Sequence, residues 1–241
     1  MLNYIDIHSH ILPGVDDGAR DMEQTRQMLA MAYREGCRVM IATPHFEAGR
    51  PRKKASELKD ILELVRAEAS SIGEDFRIEL GNELLFSYDI PDALKRGDAL
   101  TIAGTRYILV EFTPGAAYSS LKEGLRSCVL SGYIPILAHA ERYQCLLKHP
   151  EDVEELIQAG TYIQLNLSSI NGGFLNPAAR FCNKLIDRDL VHFIGTDAHG
   201  VNSRPPLGKE VISSLYKKYG EALTNRLIRE NPERMLTDKH L

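Results

Sequence analysis

The sequence predicts an α/β fold, a closed or nearly closed barrel of parallel strands wrapped by helices. Three observations carry that expectation. Short β-branched runs alternate with amphipathic stretches along the whole chain, a pattern that calls for a parallel sheet covered by helices. Seven such strands occur without a glycine-rich dinucleotide fingerprint. The length, 241 residues, suits one large domain over 1–241, and α/β barrels routinely take that form.

The first strand is YIDIH (4–8), in which Ile5 and Ile7 alternate with Asp6 and His8. Residues i and i+2 of a strand share a face, so His8 and His10 project the same way. Pro13 and Gly14 then break the chain. DMEQTRQMLAMAYREG carries Met28, Leu29, Ala32 and Tyr33 on one helical face, and Gly36 supplies a stop. The second strand is RVMIAT (38–43), followed by KASELKDILELVRAEASSIG with its stripe of Leu58, Ile61, Leu62 and Val65. FRIEL (76–80), RYILVEF (106–112), IPILAH (134–139), TYIQLN (161–166) and VHFIGT (191–196) complete the strands. Helical patterns stand in SLKEGLRSCVLSG, PEDVEELIQAG and NPAARFCNKLIDRD, and PPLGKEVISSLYKKYGEALTNRLIRENPERML reads as terminal helices. Segments 44–55 and 112–120 read as loops at the barrel mouth.

The bulk properties exclude several classes. Hydrophobic content of 44% and charged content of 26% are ordinary for a globular chain. The net charge of −4, with Lys and Arg scattered, offers no nucleic-acid-binding surface. No apolar run is long enough to span a membrane and no signal peptide opens the chain, so a cytoplasmic location is expected. Among the four cysteines none forms a C-x-x-C pair. Cys182 to Arg188 fits the C-x5-R spacing of thiol-dependent phosphatases. That chemistry needs small residues whose backbone N–H groups cradle phosphate, and Asn, Lys, Leu, Ile and Asp occupy the interval within a helical pattern. A buried helix cysteine is the expectation.

Active sites of such barrels lie at the C-terminal ends of the strands. There the sequence places His8, His10 and Asp17, then His45, Glu83, Glu111, His139, Asn166, and finally Asp197 and His199. Five of the eight histidines fall on this rim with four carboxylates, whereas His149, His192 and His240 lie off it. Any one of these residues has a plain structural explanation, a helix cap for a Glu or core packing for a His. Together they would repel one another without cations. Imidazole and carboxylate without thiolate suit manganese, iron or zinc. The nine ionisable candidates are too many for one ion and fit two or three. Three divalent ions would exceed the charge of Asp17, Glu83, Glu111 and Asp197 by about two, enough to attract a phosphate dianion. Arg142 and Arg204 follow the last rim residues of their segments, and guanidinium matches phosphate oxygens with paired donors. Asp6 is expected to orient a ligand from behind.

These motifs are recognisable as a set. DIHSHILPGVDDG, TPH, GNEL, VEF, AHAERY, TDAH and SRPP stand in the order seen in the polymerase and histidinol phosphatase superfamily of metal-dependent phosphoesterases. More narrowly, the chain resembles the bacterial metal-dependent tyrosine phosphatases encoded with capsule or exopolysaccharide genes. The resemblance implies a distorted, TIM-like (β/α)7 barrel and a trinuclear, usually manganese-loaded site. It implies Asp17, His45 and His199 on one ion, His8, His10, Glu83 and Asp197 on a second, and Glu83, Glu111 and His139 on a third. Arg142 and Arg204 match the phosphate-binding arginines. The implied substrate is phosphotyrosine on the C-terminal tail of a bacterial tyrosine kinase that controls polysaccharide export. The GRPRKKA stretch after His45 has no match in that pattern.

The expected reaction is metal-assisted hydrolysis of a phosphomonoester, with His199 near the leaving oxygen. The alternatives are a small-molecule phosphatase such as histidinol-phosphate phosphatase, a nuclease, and a metal-binding regulatory module without turnover. The acidic net charge disfavours the nuclease, and the two rim arginines disfavour the inert module. The sequence leaves the oligomeric state and the metal at each site open.

Overall fold

The computed structural model describes residues 2–50, 53–173 and 175–241. Pro51 and Arg52, inside the first expected mouth loop, lie outside the described residues. Among the described residues nine strands form: β1 (Tyr4–Ser9), β2 (Cys37–Ala42), β3 (His45–Glu47), β4 (Arg77–Leu80), β5 (Glu83–Leu85), β6 (Tyr107–Glu111), β7 (Ile134–Leu137), β8 (Tyr162–Asn166) and β9 (Phe193–Gly195). All their pairings are parallel.

The nine strands make seven staves, because β2 with β3, and β4 with β5, are each one extended run broken near its middle. β2 pairs with β4, and past the break β3 pairs with β5, His45 opposite Glu83. The expected loop at 44–55 therefore starts as a strand. Three residues after a proline carry too weak an alternation to be read as one, and the partner strand supplies the hydrogen bonds. The seam between β9 and β1 closes through the Asp197 N–H on the His8 carbonyl at 2.8 Å and the His10 N–H on the Ala198 carbonyl at 2.8 Å. Asp6 reinforces that seam. Its carboxylate accepts the Thr196 N–H at 2.9 Å, the Thr196 hydroxyl and the His8 N–H at 3.3 Å. Asp6 thus fixes the backbone beside His8 rather than the imidazole, contrary to the role expected of it. The strand ends read from sequence hold to within two residues.

Two apolar clusters hold the barrel. The smaller joins Ile5, Ile7, Val39, Leu109, Ile136 and Phe193 from five staves, with Met235 from the last helix packed into it. The larger lies between the staves and the helices, and includes Met28, Leu29 and Ala32 of helix 22–35 and Leu58, Leu62 and Val65 of helix 55–72. The apolar stripes read from sequence are the faces that pack there, except that Tyr33 and Ile61 are only partly buried. Asp21 caps helix 22–35 by accepting the Gln24 N–H, and Gly36 ends it with a left-handed φ of 99°. A helix at Ile90–Arg96 has no counterpart in the sequence reading; at 7 residues it is too short to show a stripe. Cys182 is fully buried in helix 177–187, and burial raises its thiol pKa, as the helix-cysteine expectation requires. Among the described residues no helix is long and apolar enough to cross a membrane.

Candidate metal centre

The strand-end residues converge at one mouth of the barrel. Glu83, at the start of β5, is buried at the middle of the group. Its Oε2 lies 3.2 Å from His8 Nε2, 3.2 Å from His10 Nε2 and 3.1 Å from His45 Nδ1, while its Oε1 lies 2.7 Å from His139 Nε2. Asp197 Oδ1 stands 3.4 Å from His8 Nε2, 3.5 Å from His10 Nε2 and 3.4 Å from His199 Nδ1. Glu111 Oε1 is 3.0 Å from His45 Nδ1 and its Oε2 is 3.7 Å from His139 Nε2. Asp17 Oδ1 is 3.3 Å from His45 Nε2 and 3.7 Å from His199 Nε2.

All nine ionisable residues expected at the rim are thus brought together. Three groups have ligand atoms within 4.8 Å of one another: His10, Asp17, His45 and His199; His8, His10, Glu83 and Asp197; and His45, Glu83 and Glu111. Two memberships differ from the sets implied by the resemblance. His10 joins the first group, and His45 takes the place in the third that the resemblance gives to His139. His139 still faces both carboxylates of that group at the distances above.

The tautomers are set from behind. The Gln164 Oε1 accepts the His139 N–H at 2.7 Å, so it acts as an acceptor toward His8 Nδ1 at 3.3 Å as well. His10 Nδ1 faces Asp16 Oδ2 at 2.7 Å, and His199 Nδ1 donates to the Asp197 carbonyl at 2.8 Å. With Nδ1 used as a donor in each ring, Nε2 of His8, His10 and His199 offers a lone pair to the centre. The Glu83 Oε2 and His199 Nε2 atoms are buried without a hydrogen-bond partner. Buried acceptors left without a donor are costly unless a cation meets them, so the donor set fits divalent metal ions.

Without cations the electrostatics turn on protons. Burial disfavours charge on His10, but the carboxylates of Asp16, Asp197 and Glu83 outweigh it and hold its pKa well above the ordinary value. His8 is raised in the same way, burial being outweighed by Glu83 and Asp197, and His45 is pushed up to about 10 against burial by Glu111 and Glu83. Glu83 and Asp197 are pulled down by those imidazoles despite their own burial. His199 goes the other way, to about 4, through burial and the neighbouring His10.

The backbone is strained at three of these positions. His139, Asp197 and Arg204 stand at φ of 36°, 52° and 48°, a region that non-glycine residues avoid and that clusters at functional sites. Hydrogen bonds to the His139 N–H, the Asp197 N–H and the Arg204 carbonyl hold them there.

Arg142 and Arg204 are at the mouth, with side chains 37% and 41% exposed. Arg142 contacts Asp197 Oδ2, and Arg204 lies 3.3 Å from Asp17 Oδ2 and 3.7 Å from Asp197 Oδ2. Sequence reasoning named both arginines and placed Asn166 on the rim, but gave no supporting role to Asp16, Gln164 or Asn166. Asp16 accepts from His10 and from the His45 N–H at 3.0 Å. Gln164 donates to Asn166 Oδ1 at 2.9 Å, and Asn166 donates to Asp197 Oδ2 at 3.0 Å. The available signal was two amides at alternate positions of an otherwise apolar strand. His149 and His240 are exposed and far from this cluster in their contacts, and His192 is packed against Tyr162. Asp16→Asn is expected to cut activity by roughly 10- to 100-fold. His10 would lose the acceptor that fixes its tautomer, and metal titration of the variant alongside the parent chain checks it.

The capsular polysaccharide synthesis CpsB/CapC family profile matches residues 4–237. The tyrosine-protein phosphatase CpsB of Streptococcus pneumoniae is 32% identical over 240 residues, covering 98% of this chain and 99% of its own. The tyrosine-protein phosphatase YwqE of Bacillus subtilis is 31% identical, covering 98% and 92%. A crystal structure from work on YwqE and the pneumococcal CpsB, described there as metal-dependent tyrosine phosphatases, superposes with a TM-score of 0.89 at 30% identity, covering 98% of this chain and 96% of that one. A phosphotriesterase homology protein from Escherichia coli shares the fold at a TM-score of 0.64 and 14% identity, covering 97% and 98%.

Proposed function

Because the chain belongs to the capsular polysaccharide synthesis CpsB/CapC family, we propose that it is a metal-dependent protein-tyrosine phosphatase that hydrolyses phosphotyrosine. The observation that carries this reading is the convergence of buried imidazoles and carboxylates on the unpartnered Glu83 Oε2, with two half-exposed guanidinium groups beside it.

His10, Asp17, His45 and His199 would hold one ion. His8, His10, Glu83 and Asp197 would hold a second, and Glu83, Glu111 and His139, with His45 beside them, a third. Two or three divalent ions, manganese foremost and iron or zinc compatible with the same donors, are the proposed cofactors. Bound there, such ions make water acidic enough to supply a nucleophile at neutral pH and offset charge on a phosphoryl group.

The chain's own residues do the rest. Arg142 and Arg204 orient the phosphoryl oxygens and bear the charge that grows on them as the ester bond breaks. Their exposure leaves them free to exchange carboxylate contacts for substrate. Gln164 holds the strained His139 backbone by accepting its N–H, and Asn166 steadies the Asp197 carboxylate. His199 was expected near the leaving oxygen as well as on metal. Its Nδ1 proton is donated to the Asp197 carbonyl and its pKa is low, so Nε2 carries a lone pair at neutral pH. That suits a metal ligand rather than the source of a proton for the leaving phenolate.

The proposed physiological substrate is the phosphotyrosine-bearing C-terminal tail of a bacterial tyrosine kinase acting in capsule or exopolysaccharide synthesis, met in the cytoplasm. Steady-state rates on a phosphotyrosyl peptide and on histidinol phosphate test the reading. A preference for histidinol phosphate would replace it with a small-molecule phosphatase. Arg142→Ala is expected to lower kcat on p-nitrophenyl phosphate by about 100-fold with metal content intact, as elemental analysis would show. Unchanged turnover removes Arg142 from the mechanism.

A further inference from the structure

Among the described residues, none of the basic side chains in the stretch after His45 belongs to the metal centre. Four of the five residues 50–54 are Lys or Arg, in a chain whose net charge is −4. Two cavities lie along this segment. A slot of about 220 Å³ is lined by His45 and Glu111 of the metal centre together with Phe46, Leu85 and Arg50. A larger cleft of about 640 Å³ is lined by Phe46, Lys54, Lys59 and Arg96, between the start of helix 55–72 and the end of helix 90–96. Phe46 is a wall of both, so the cleft begins one residue from a side chain of the centre.

Most of the cations along this path lack a counter-charge. Arg96 is held by Asp98 at 2.8 Å. Glu57, the carboxylate at the start of helix 55–72, accepts the Lys54 N–H at 2.9 Å and lies 3.9 Å from Lys53 Nζ. Arg50, Lys54 and Lys59 make no side-chain ion pair or hydrogen bond among the described residues. Arg50 lines the slot beside the centre, and Lys54 and Lys59 line the cleft on the other side of Phe46, an arrangement that suits an extended chain carrying further negative charges.

We propose that Arg50, Lys54 and Lys59 form a reading surface for acidic or phosphorylated residues flanking the scissile phosphotyrosine on the same polypeptide. This rests on the phosphotyrosine reading for the scissile group, while the surface itself can be tested apart from it. Its contribution is to capture and orient the chain, so it acts on KM and on the salt dependence rather than on the chemical step.

The test uses the metal-loaded full chain and its Lys54→Glu/Lys59→Glu double variant. The substrates are p-nitrophenyl phosphate and two phosphotyrosyl peptides, one with glutamates on both flanks and one with glutamines in their place. The parent chain is expected to favour the glutamate peptide by roughly tenfold in kcat/KM at low salt, and the preference should collapse at high salt. The double variant should lose that preference with its rate on p-nitrophenyl phosphate unchanged. No preference in the parent chain, or the same preference in the variant, overturns the proposal. So does an equal loss on all three substrates, which marks a structural disturbance of the centre. Should neither peptide be hydrolysed, the phosphotyrosine reading fails. The surface is then judged by fluorescence anisotropy with a labelled glutamate-rich peptide lacking phosphotyrosine. Binding by the parent chain that the variant loses supports it; no binding, or equal binding, overturns it.

Discussion

Glu83→Gln is expected to lower kcat/KM on p-nitrophenyl phosphate by on the order of 1000-fold or more, and to remove at least one ion from the purified protein. Among the described residues no other carboxylate reaches as many imidazoles of the cluster. Its two oxygens face His8, His10, His45 and His139 at 2.7 to 3.2 Å. The amide keeps the size and shape of the carboxylate but withdraws the charge, and it turns one acceptor oxygen into a donor aimed at ring nitrogens. In the metal-free chain His8 would lose its main counter-charge, and His10 and His45 would each lose one of several. Elemental analysis with steady-state kinetics reads the outcome, and circular dichroism of variant and parent separates a lost ion from a lost fold. Full metal content with near-parental turnover would remove Glu83 from the centre.

Chelation is expected to abolish activity, and manganese to restore it. The pKa shifts add a signature that non-specific inactivation lacks. In the chelated protein the neighbouring carboxylates raise the pKa of His8, His10 and His45 and so favour their protonated forms, that of His45 being pushed up to about 10. A metal ion needs those lone pairs, so reloading at neutral pH must expel protons. A metal competing with protons on groups of raised pKa therefore binds more tightly as pH rises, and acid favours its loss. Calorimetry in two buffers of different ionisation enthalpy counts the protons released. Release of none, with full occupancy, would show that the ions bind elsewhere. Undiminished turnover in excess chelator would defeat the metal reading outright.

The ligands are legible in the sequence because a barrel strand delivers its last residues to one rim. His8, His45, Glu83, Glu111, His139 and Asp197 could each be read from the position just past an apolar run. Asp16 and Asp17 show where that reasoning stops. They are neighbours of identical chemistry just after the first strand, yet Asp17 faces His45 and His199 while Asp16 is buried behind His10. Nothing in the local pattern separates them, since a turn broken by Pro13 and Gly14 carries no periodicity. The short β3 and β5 strands were hidden for a related reason. Each is 3 residues long, and each is extended because the other pairs with it.

The order of strands and helices, the buried stripes, the inert cysteine and the collection of imidazole and carboxylate on one rim were determined by the sequence alone, because period and residue type are local properties of the chain. Which nitrogen of each ring faces inward, which aspartate lies behind His10 and which faces His45 and His199, and where Arg50, Lys54 and Lys59 lie beside the centre were decided only by tertiary structure. Those depend on contacts between residues far apart in the chain, His8 and Gln164 being 156 positions apart and Asp17 and Arg204 187, which a linear pattern does not encode.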